Sequence, residues 1–143
     1  MPVPTARLTR AVRFSAAHRY WRPEWSPERN AEAFGACANE HGHGHNYRCA
    51  VTLAGRVADA TGMVMSLDAL DALLDREVRA RFDHRHINHD VPEFAPGRQI
   101  PTAEALAVHI WHRLAPQLPD GVRLETVRVE EEADLYAEYH GED

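Results

Sequence analysis

The sequence predicts an α+β domain in which a four-stranded antiparallel sheet carries two helices on one face. Apolar residues alternate in segments near both ends of the chain, as in half-buried strands. Two central segments instead repeat apolar residues at helical spacing. The resulting order of strand, strand, helix, helix, strand, strand is typical of an antiparallel sheet with segregated helices. With 143 residues, we expect one domain spanning residues 1–143.

The N-terminal half supplies the first two predicted strands. Alternation from Arg7 to His18 predicts a strand that ends in a histidine. Residues 20–36 contain Pro23 and Pro27 and are predicted to form a loop, with at most one helical turn. The second strand is expected from about His43 to Ala54.

The two helices are predicted from their capping residues and apolar stripes. Ser66 is a suitable N-cap for a helix that reaches Phe82. Thr102 is a suitable N-cap for a second helix through Leu114, which Pro116 would end.

Two strands are predicted after the helices. Val122–Glu131 places Val127, Val129 and Glu131 on one face, and Leu135–Tyr139 is expected to form a short strand or sheet edge. The predicted sheet therefore ends with an acidic residue on its apolar face.

Composition restricts the classes of partner. The formal net charge of −6 is concentrated in the last fourteen residues, and all sixteen basic residues are arginine. Arginine suits an anionic small-molecule substrate, whereas no basic stripe interleaved with aromatic residues supports nucleic-acid binding. No apolar run approaches the roughly 20 residues of a membrane span. Two cysteines and no apparent secretory signal favour a reducing cytoplasm.

Histidines at alternate positions are the main functional signal. His41, His43 and His45 lie where an extended backbone would direct all three to one face, and glycines between them allow close approach. Three histidines with an open fourth position are typical of catalytic zinc. Spread along one strand, however, they would span about 13 Å, which is poor geometry for one ion. His18 could join His43 and His45 if the first two strands form a hairpin.

Four further groups could carry chemistry. Cys37 becomes a usable base or nucleophile only if a nearby cation lowers its pKa. Asp83 precedes His84 directly and could fix the tautomer of an imidazole. Glu104 falls in the first turn of the second helix, where acids favour the helix dipole. Glu131 ends an apolar strand face and could accept paired hydrogen bonds from a heterocycle.

These segments together resemble the family of 6-pyruvoyltetrahydropterin and 6-carboxytetrahydropterin synthases. The resemblance covers nearly the whole chain and rests on these motifs: Phe14-Ser-Ala-Ala-His18-Arg19, Phe34-Gly-x-Cys37, His43-Gly-His45-Asn46-Tyr47, Thr61-Gly-Met-Val-Met65, Asp83-His84, Pro101-Thr102-x-Glu104 and Val127-x-Val129-x-Glu131.

The resemblance implies a tunnelling fold whose sheets assemble into a trimeric barrel, with two trimers forming a homohexamer and sites between subunits. It implies that His18, His43 and His45 bind Zn²⁺. The remaining implied roles are a catalytic thiol at Cys37, relay partners at Asp83 and His84, a pterin anchor at Glu131 and assistance from Thr102 and Glu104. Arg19 and Arg48 flank the ligand segments and are our candidates for phosphate contacts.

The implied reaction converts 7,8-dihydroneopterin triphosphate to 6-pyruvoyltetrahydropterin with loss of triphosphate. The alternative product is 6-carboxytetrahydropterin with acetaldehyde. Five residues separate Cys37 from His43 and three separate it from His41, so the tract fits the longer spacing of the pyruvoyl branch and the shorter one of the carboxy branch. More distant alternatives are a three-histidine zinc hydrolase and a non-catalytic pterin-binding module.

Overall fold

A computed structural model describes residues 2–142 and shows a sheet of five strands. The strands are β1 (Thr5–His18), β2 (His43–Arg56), β3 (Arg85–His86), β4 (Val122–Glu132) and β5 (Leu135–Tyr139). Their spatial order is β3-β1-β2-β4-β5. The pairs β1–β2, β2–β4 and β4–β5 are antiparallel, and β3 runs parallel to β1.

The predicted sheet of four antiparallel strands is therefore wrong in one respect, because the sheet is mixed and has a fifth strand. The four long strands occur where they were expected. The additional strand β3 contains only Arg85 and His86, which pair with Ala16 and Ala17 of β1. Two residues are too few for an alternating pattern, and their pairing depends on the preceding helix.

The helical segments are α1 (Pro27–Phe34), α2 (Leu67–Leu74), α3 (Ala80–Phe82), α4 (Ile87–Asp90) and α5 (Ala103–Leu114). A π-helical segment, Asp75–Arg79, joins α2 to α3. None of the helices within residues 2–142 has the length and apolar character required to cross a membrane.

The helix starts follow the capping residues. Ser66 accepts a hydrogen bond from the backbone N–H of Ala69 at 3.3 Å, and Thr102 accepts one from Ala105 at 3.0 Å. Both predicted N-caps are confirmed, and such caps contribute about 1 kcal/mol each to stability.

The segment between β1 and β2 contains more helix than the sequence analysis predicted. Pro27–Phe34 forms an eight-residue helix instead of at most one turn. Ser26 caps it by accepting from the N–H of Arg29 at 3.1 Å, and Pro27 occupies the first turn, where its missing N–H has no cost. The prediction of at most one helical turn is wrong here, because Pro27 begins a helix and does not break one.

The core lies between one sheet face and the helices α2 and α5. Apolar side chains of β1, β2 and β4 pack against the buried stripes of the two helices. The sheet contributes Phe14, Tyr47, Cys49, Val51, Leu53, Val127 and Val129, and the helices contribute Leu70, Leu73, Leu74, Leu106, Ile110 and Leu114. This packing sets the position of β1 against β2, on which the candidate site depends.

His109 is a titratable residue of α5 outside the candidate site. Its ring contacts those of Phe82 and Phe94, with centroids 6.0 and 5.2 Å away, and its Nε2 lies 3.3 Å from Nη2 of Arg81. Burial lowers the pKa of His109 from 6.5 to about 4, and Glu93 opposes this shift in part. The imidazole is therefore neutral at pH 7.

We expect the substitution His109→Leu to reduce the acid sensitivity of the fold. As pH falls from about 6.5 to 4, the unfolded chain binds a proton at His109 before the folded chain does, so the free energy of unfolding decreases. Leucine removes this contribution, and the decrease over that range becomes smaller. Chemical denaturation at several pH values measures the free energy of unfolding, and His112→Leu on the same helix serves as control. Parallel pH profiles for His109→Leu and the parent would contradict the assignment.

Candidate metal centre and active site

Three histidines converge at one edge of the sheet. The antiparallel register places His18, the last residue of β1, opposite His43, the first residue of β2. His45 lies two residues further along β2 and therefore on the same face. One candidate ligand atom from each side chain lies within 4.8 Å of the others, and Nε2 of His18 is 3.3 Å from Nε2 of His43.

The donor set suits a metal cation. His18 is fully buried, and burial together with the neighbouring His45 and His43 lowers its pKa to about 3, which keeps it in the neutral form that binds metals. Nε2 of His45 is buried without a hydrogen-bond partner among the described residues. Buried polar atoms normally have partners, so this atom indicates a ligand position. Three neutral imidazoles match a zinc site with one open position.

Tyr47 orients one of these imidazoles. Its hydroxyl lies 2.7 Å from Nδ1 of His18, and its ring stacks on Phe14 with centroids 4.8 Å apart. Metal-bound histidines usually donate their second ring N–H to an oxygen, and the Tyr47 oxygen can accept it. Tyr47 belongs to the motif His43-Gly-His45-Asn46-Tyr47, but its role as a hydrogen-bond partner of His18 was not predicted. Its position two residues after His45, on the same strand face, was the available signal.

Cys37 lies beside the histidines on a short 3-10 helix, Gly35–Ala38. Its Sγ is 4.0 Å from Nε2 of His43. Burial raises the pKa of the thiol, and the carboxylate of Glu131 raises it further. A thiolate at Cys37 therefore requires a compensating positive charge nearby, and a cation held by the histidines would supply it.

Glu131 and Tyr20 form the other side of the same site. Glu131 is buried near the end of β4, and one of its carboxylate oxygens lies 3.9 Å from Nε2 of His45. The Tyr20 hydroxyl donates to the other oxygen at 2.9 Å. Burial raises the pKa of Tyr20, and Glu131 raises it further, so Tyr20 remains a donor. Tyr20 was not predicted, because it lies in a segment expected to be a loop.

Asp83 and His84 are placed at the edge of the sheet, against β1. Asp83 accepts a hydrogen bond from the N–H of Ser15 at 2.9 Å, and the N–H of His84 donates to the Ser15 carbonyl at 2.7 Å. His84 has a positive φ of 57°, and its side chain is 84% exposed. Both residues of the pair thus contact β1, with the imidazole directed to the protein surface.

The other residues predicted to contact the substrate lie in different parts of the structure. Thr102 uses its hydroxyl to cap α5, and Glu104 is exposed in the first turn of that helix. Arg48 alternates with His45 and therefore lies on the opposite sheet face, where it pairs with Glu130 at 2.9 Å. Arg19 follows His18 directly, and its Nε donates to the Ala38 carbonyl at 3.0 Å.

Comparisons with known proteins agree with this arrangement. A family profile described as "6-pyruvoyl tetrahydropterin synthase" matches residues 7–142. The chain belongs to this family. It is 41% identical over 137 residues to the human 6-pyruvoyl tetrahydrobiopterin synthase, covering 96% of this chain and 92% of that protein. The solved structure of Caenorhabditis elegans 6-pyruvoyl tetrahydropterin synthase superposes with a TM-score of 0.90 at 33% identity, covering 99% of both chains.

The family also has a more distant relative with a different name. A protein of Archaeoglobus fulgidus named "Putative 6-carboxy-5,6,7,8-tetrahydropterin synthase" is 35% identical over 96 residues, or 67% of this chain and 73% of that protein. The pyruvoyl-named human protein matches a longer stretch at higher identity. The family assignment inferred from the motifs is therefore confirmed.

With Zn²⁺ as the probe metal for the histidine cluster, we expect Tyr47→Phe to weaken metal binding by about 10- to 100-fold, because His18 loses the hydrogen-bond partner that orients it. The phenyl ring keeps the stacking on Phe14, so the fold is retained. Competition against a zinc chelator measures the affinity. Tyr136→Phe on β5 removes an exposed hydroxyl and serves as control. Unchanged zinc affinity in Tyr47→Phe would show that the hydrogen bond has no role in the site.

Proposed function

We propose that the protein is a zinc-dependent lyase that converts 7,8-dihydroneopterin triphosphate to 6-pyruvoyltetrahydropterin and inorganic triphosphate. The observation that supports this most strongly is the convergence of three histidines, Cys37 and Glu131 at one sheet edge. A metal-binding module needs only the histidines, and a pterin-binding module needs only an anchor for the ring. The thiol of Cys37 beside these histidines is the feature that favours an enzyme.

Glu131 is suited to hold the pterin ring. Its carboxylate can accept two parallel hydrogen bonds from the amino group and adjacent ring N–H of the pterin. Tyr20 donates to one oxygen and keeps the carboxylate in place. Because His45 is adjacent, a ring bound at Glu131 directs its side chain toward the histidines.

His18, His43 and His45 would hold Zn²⁺, which when bound would supply a Lewis acid for the side-chain hydroxyls of the substrate. Cys37 lies beside His43 and is placed to move protons between the side chain and the ring. The reaction balances without an external reductant. The ring gains the two electrons that one hydroxyl-bearing carbon loses, and elimination of triphosphate leaves the second carbonyl after tautomerisation.

We further propose that the complete site forms in a homohexamer, in which Asp83 and His84 of one subunit approach Cys37 of another. The pair contacts β1 in its own subunit and directs His84 outward, although the positive φ of His84 has an energetic cost. Strained residues persist where the structure has a use for them, and an interface with a second subunit provides one.

The alternative product, 6-carboxytetrahydropterin with acetaldehyde, has one specific observation in its favour. The similarity to the archaeal relative indicates that both branches share much of this framework. The metal cluster nevertheless contains His43 and not His41, which corresponds to the longer spacing from Cys37. This spacing between Cys37 and His43 supports the pyruvoyl product.

Incubation of the zinc-loaded protein with 7,8-dihydroneopterin triphosphate tests the proposal. We expect mass spectrometry to show 6-pyruvoyltetrahydropterin and inorganic triphosphate. Cys37→Ala should lose nearly all activity while its zinc content stays unchanged, because the thiol moves protons and is not needed as a ligand.

A 6-carboxy product with acetaldehyde would instead support the alternative reaction. Full activity in Cys37→Ala would favour a zinc hydrolase. If the parent protein released no triphosphate, the synthase proposal would fail.

Mixed oligomers test the shared site. Cys37→Ala and His84→Ala are each expected to be inactive alone. After unfolding and refolding together, about a quarter of the sites should combine an intact Cys37 with an intact His84 of a neighbouring subunit. Recovery of about that fraction of activity is the expected result. Absence of recovery, with hexamers present in solution, would place both residues of a site in one subunit.

A further inference from the structure

A cavity of about 230 Å³ adjoins the metal centre on the side away from Glu131. Its lining includes Arg19, Trp21, Glu40, His41, His86 and His89. Arg19 follows the metal-site residue His18 directly, and His41 precedes His43 by two positions. Two residues of the cavity are thus close in sequence to the histidine cluster. Apart from Arg19, which the sequence analysis proposed as a phosphate contact, its polar residues have no part in the chemistry described above.

Arg19 is held in one orientation in this cavity. Its Nε donates to the Ala38 carbonyl at 3.0 Å, and its guanidinium lies 3.9 Å from the centre of the Trp21 ring. Its backbone N–H donates to the Asn88 side chain at 2.7 Å. Within residues 2–142, neither terminal nitrogen of Arg19 has a hydrogen-bond partner. A preorganised guanidinium with two available nitrogens suits bidentate binding of a phosphate.

His86 and His89 add further polar groups. Their rings lie 4.0 Å apart between centroids, and Nδ1 of His86 is buried without a hydrogen-bond partner in the described part of the chain. Imidazole retains one N–H donor even when it is neutral. These histidines can therefore donate to phosphate oxygens in either protonation state.

Gly42 separates His41 from the metal cluster. It has a φ of 70°, and a Cβ at this position would lie 2.5 Å from the His18 carbonyl oxygen, so glycine is required here. The turn directs His41 to the cavity, while His43 enters the cluster. Among the described residues, the one group of three potential ligands close enough to share a metal is His18, His43 and His45. The cavity is therefore better suited to an anion than to a second metal.

The strand order indicates which part of the substrate would reach this cavity. Glu131 lies on β4, His43 and His45 on β2, His18 on β1 and His86 on β3, and these strands are successive neighbours. At about 4.8 Å per strand, the row extends about 14 Å from the proposed pterin anchor to the cavity. A substrate with its ring at Glu131 and its hydroxyls at the metal would extend its phosphates toward β3.

We propose that Arg19, His41, His86 and His89 bind the triphosphate group of the substrate, and afterwards the inorganic triphosphate that leaves. This inference rests on the proposed function for the identity of the anion. It assigns His41 a role in phosphate binding instead of metal binding. Glu40, whose carboxylate lines the same cavity, weakens the binding of the anion by charge repulsion.

Titration of the zinc-loaded protein with inorganic triphosphate at constant pH and ionic strength tests this proposal. We expect Arg19→Gln and His41→Asn each to raise the dissociation constant about tenfold, since each removes a donor to a charged group. Glu40→Gln should lower it. Zinc content should stay at the parent level in all three variants, because none of these side chains belongs to the metal cluster.

Arg56→Gln removes the same charge at the far end of β2 and should leave triphosphate binding unchanged. Arg19→Lys retains the charge and controls for loss of the contact with Ala38. If Arg19→Gln disturbs the fold, His89→Asn at an exposed position provides the same test. Binding at parent affinity in Arg19→Gln and His41→Asn would overturn the proposal, as would failure of the parent to bind inorganic triphosphate.

Turnover separates the two proposals. If the parent converts 7,8-dihydroneopterin triphosphate and the cavity variants keep its KM, the phosphate site is wrong while the synthase assignment stands. If the parent binds inorganic triphosphate through Arg19 but converts no substrate, the anion site stands and the synthase assignment fails.

Discussion

The candidate site depends on the antiparallel register between β1 and β2. That register pairs His18 with His43, and the two-residue period of the strand adds His45 on the same face. A shift by one residue would direct both histidines of β2 to the opposite face. The hydrophobic core opposes such a shift, because the shift would move four core residues of β2 to the other face of the sheet. These residues are Tyr47, Cys49, Val51 and Leu53.

The electrostatics of the site favour a bound cation. The buried His18, two partly buried histidines, a buried carboxylate and a partly buried thiol lie close together, and burial together with Glu131 raises the pKa of Cys37. A positive charge at the histidines would favour the thiolate and offset the repulsion between thiolate and carboxylate. The proposed metal binding and the proposed proton transfer at Cys37 are thus coupled by the same geometry.

The sheet also orders the proposed functions in space. From β4 to β3, successive strands carry the acid proposed to bind the pterin ring, the histidines proposed to bind the metal and the cavity that contains Arg19. Neighbouring strands lie about 4.8 Å apart, so the row from β4 to β3 is about 14 Å long. The two-residue strand β3 matters here because it places His86 beside β1.

The sequence by itself determined the long strands, the caps at Ser66 and Thr102 and the residues that could bind a metal, because these follow from local periodicity and side-chain chemistry. The grouping of His18 with His43 and His45 was expected only if the first two strands formed a hairpin, and the tertiary structure supplies that strand pairing across 25 residues. It also decided the positions of Tyr20 and His41, which depend on a loop and on the turn at Gly42. Local patterns describe one strand or helix, whereas a site is assembled from several.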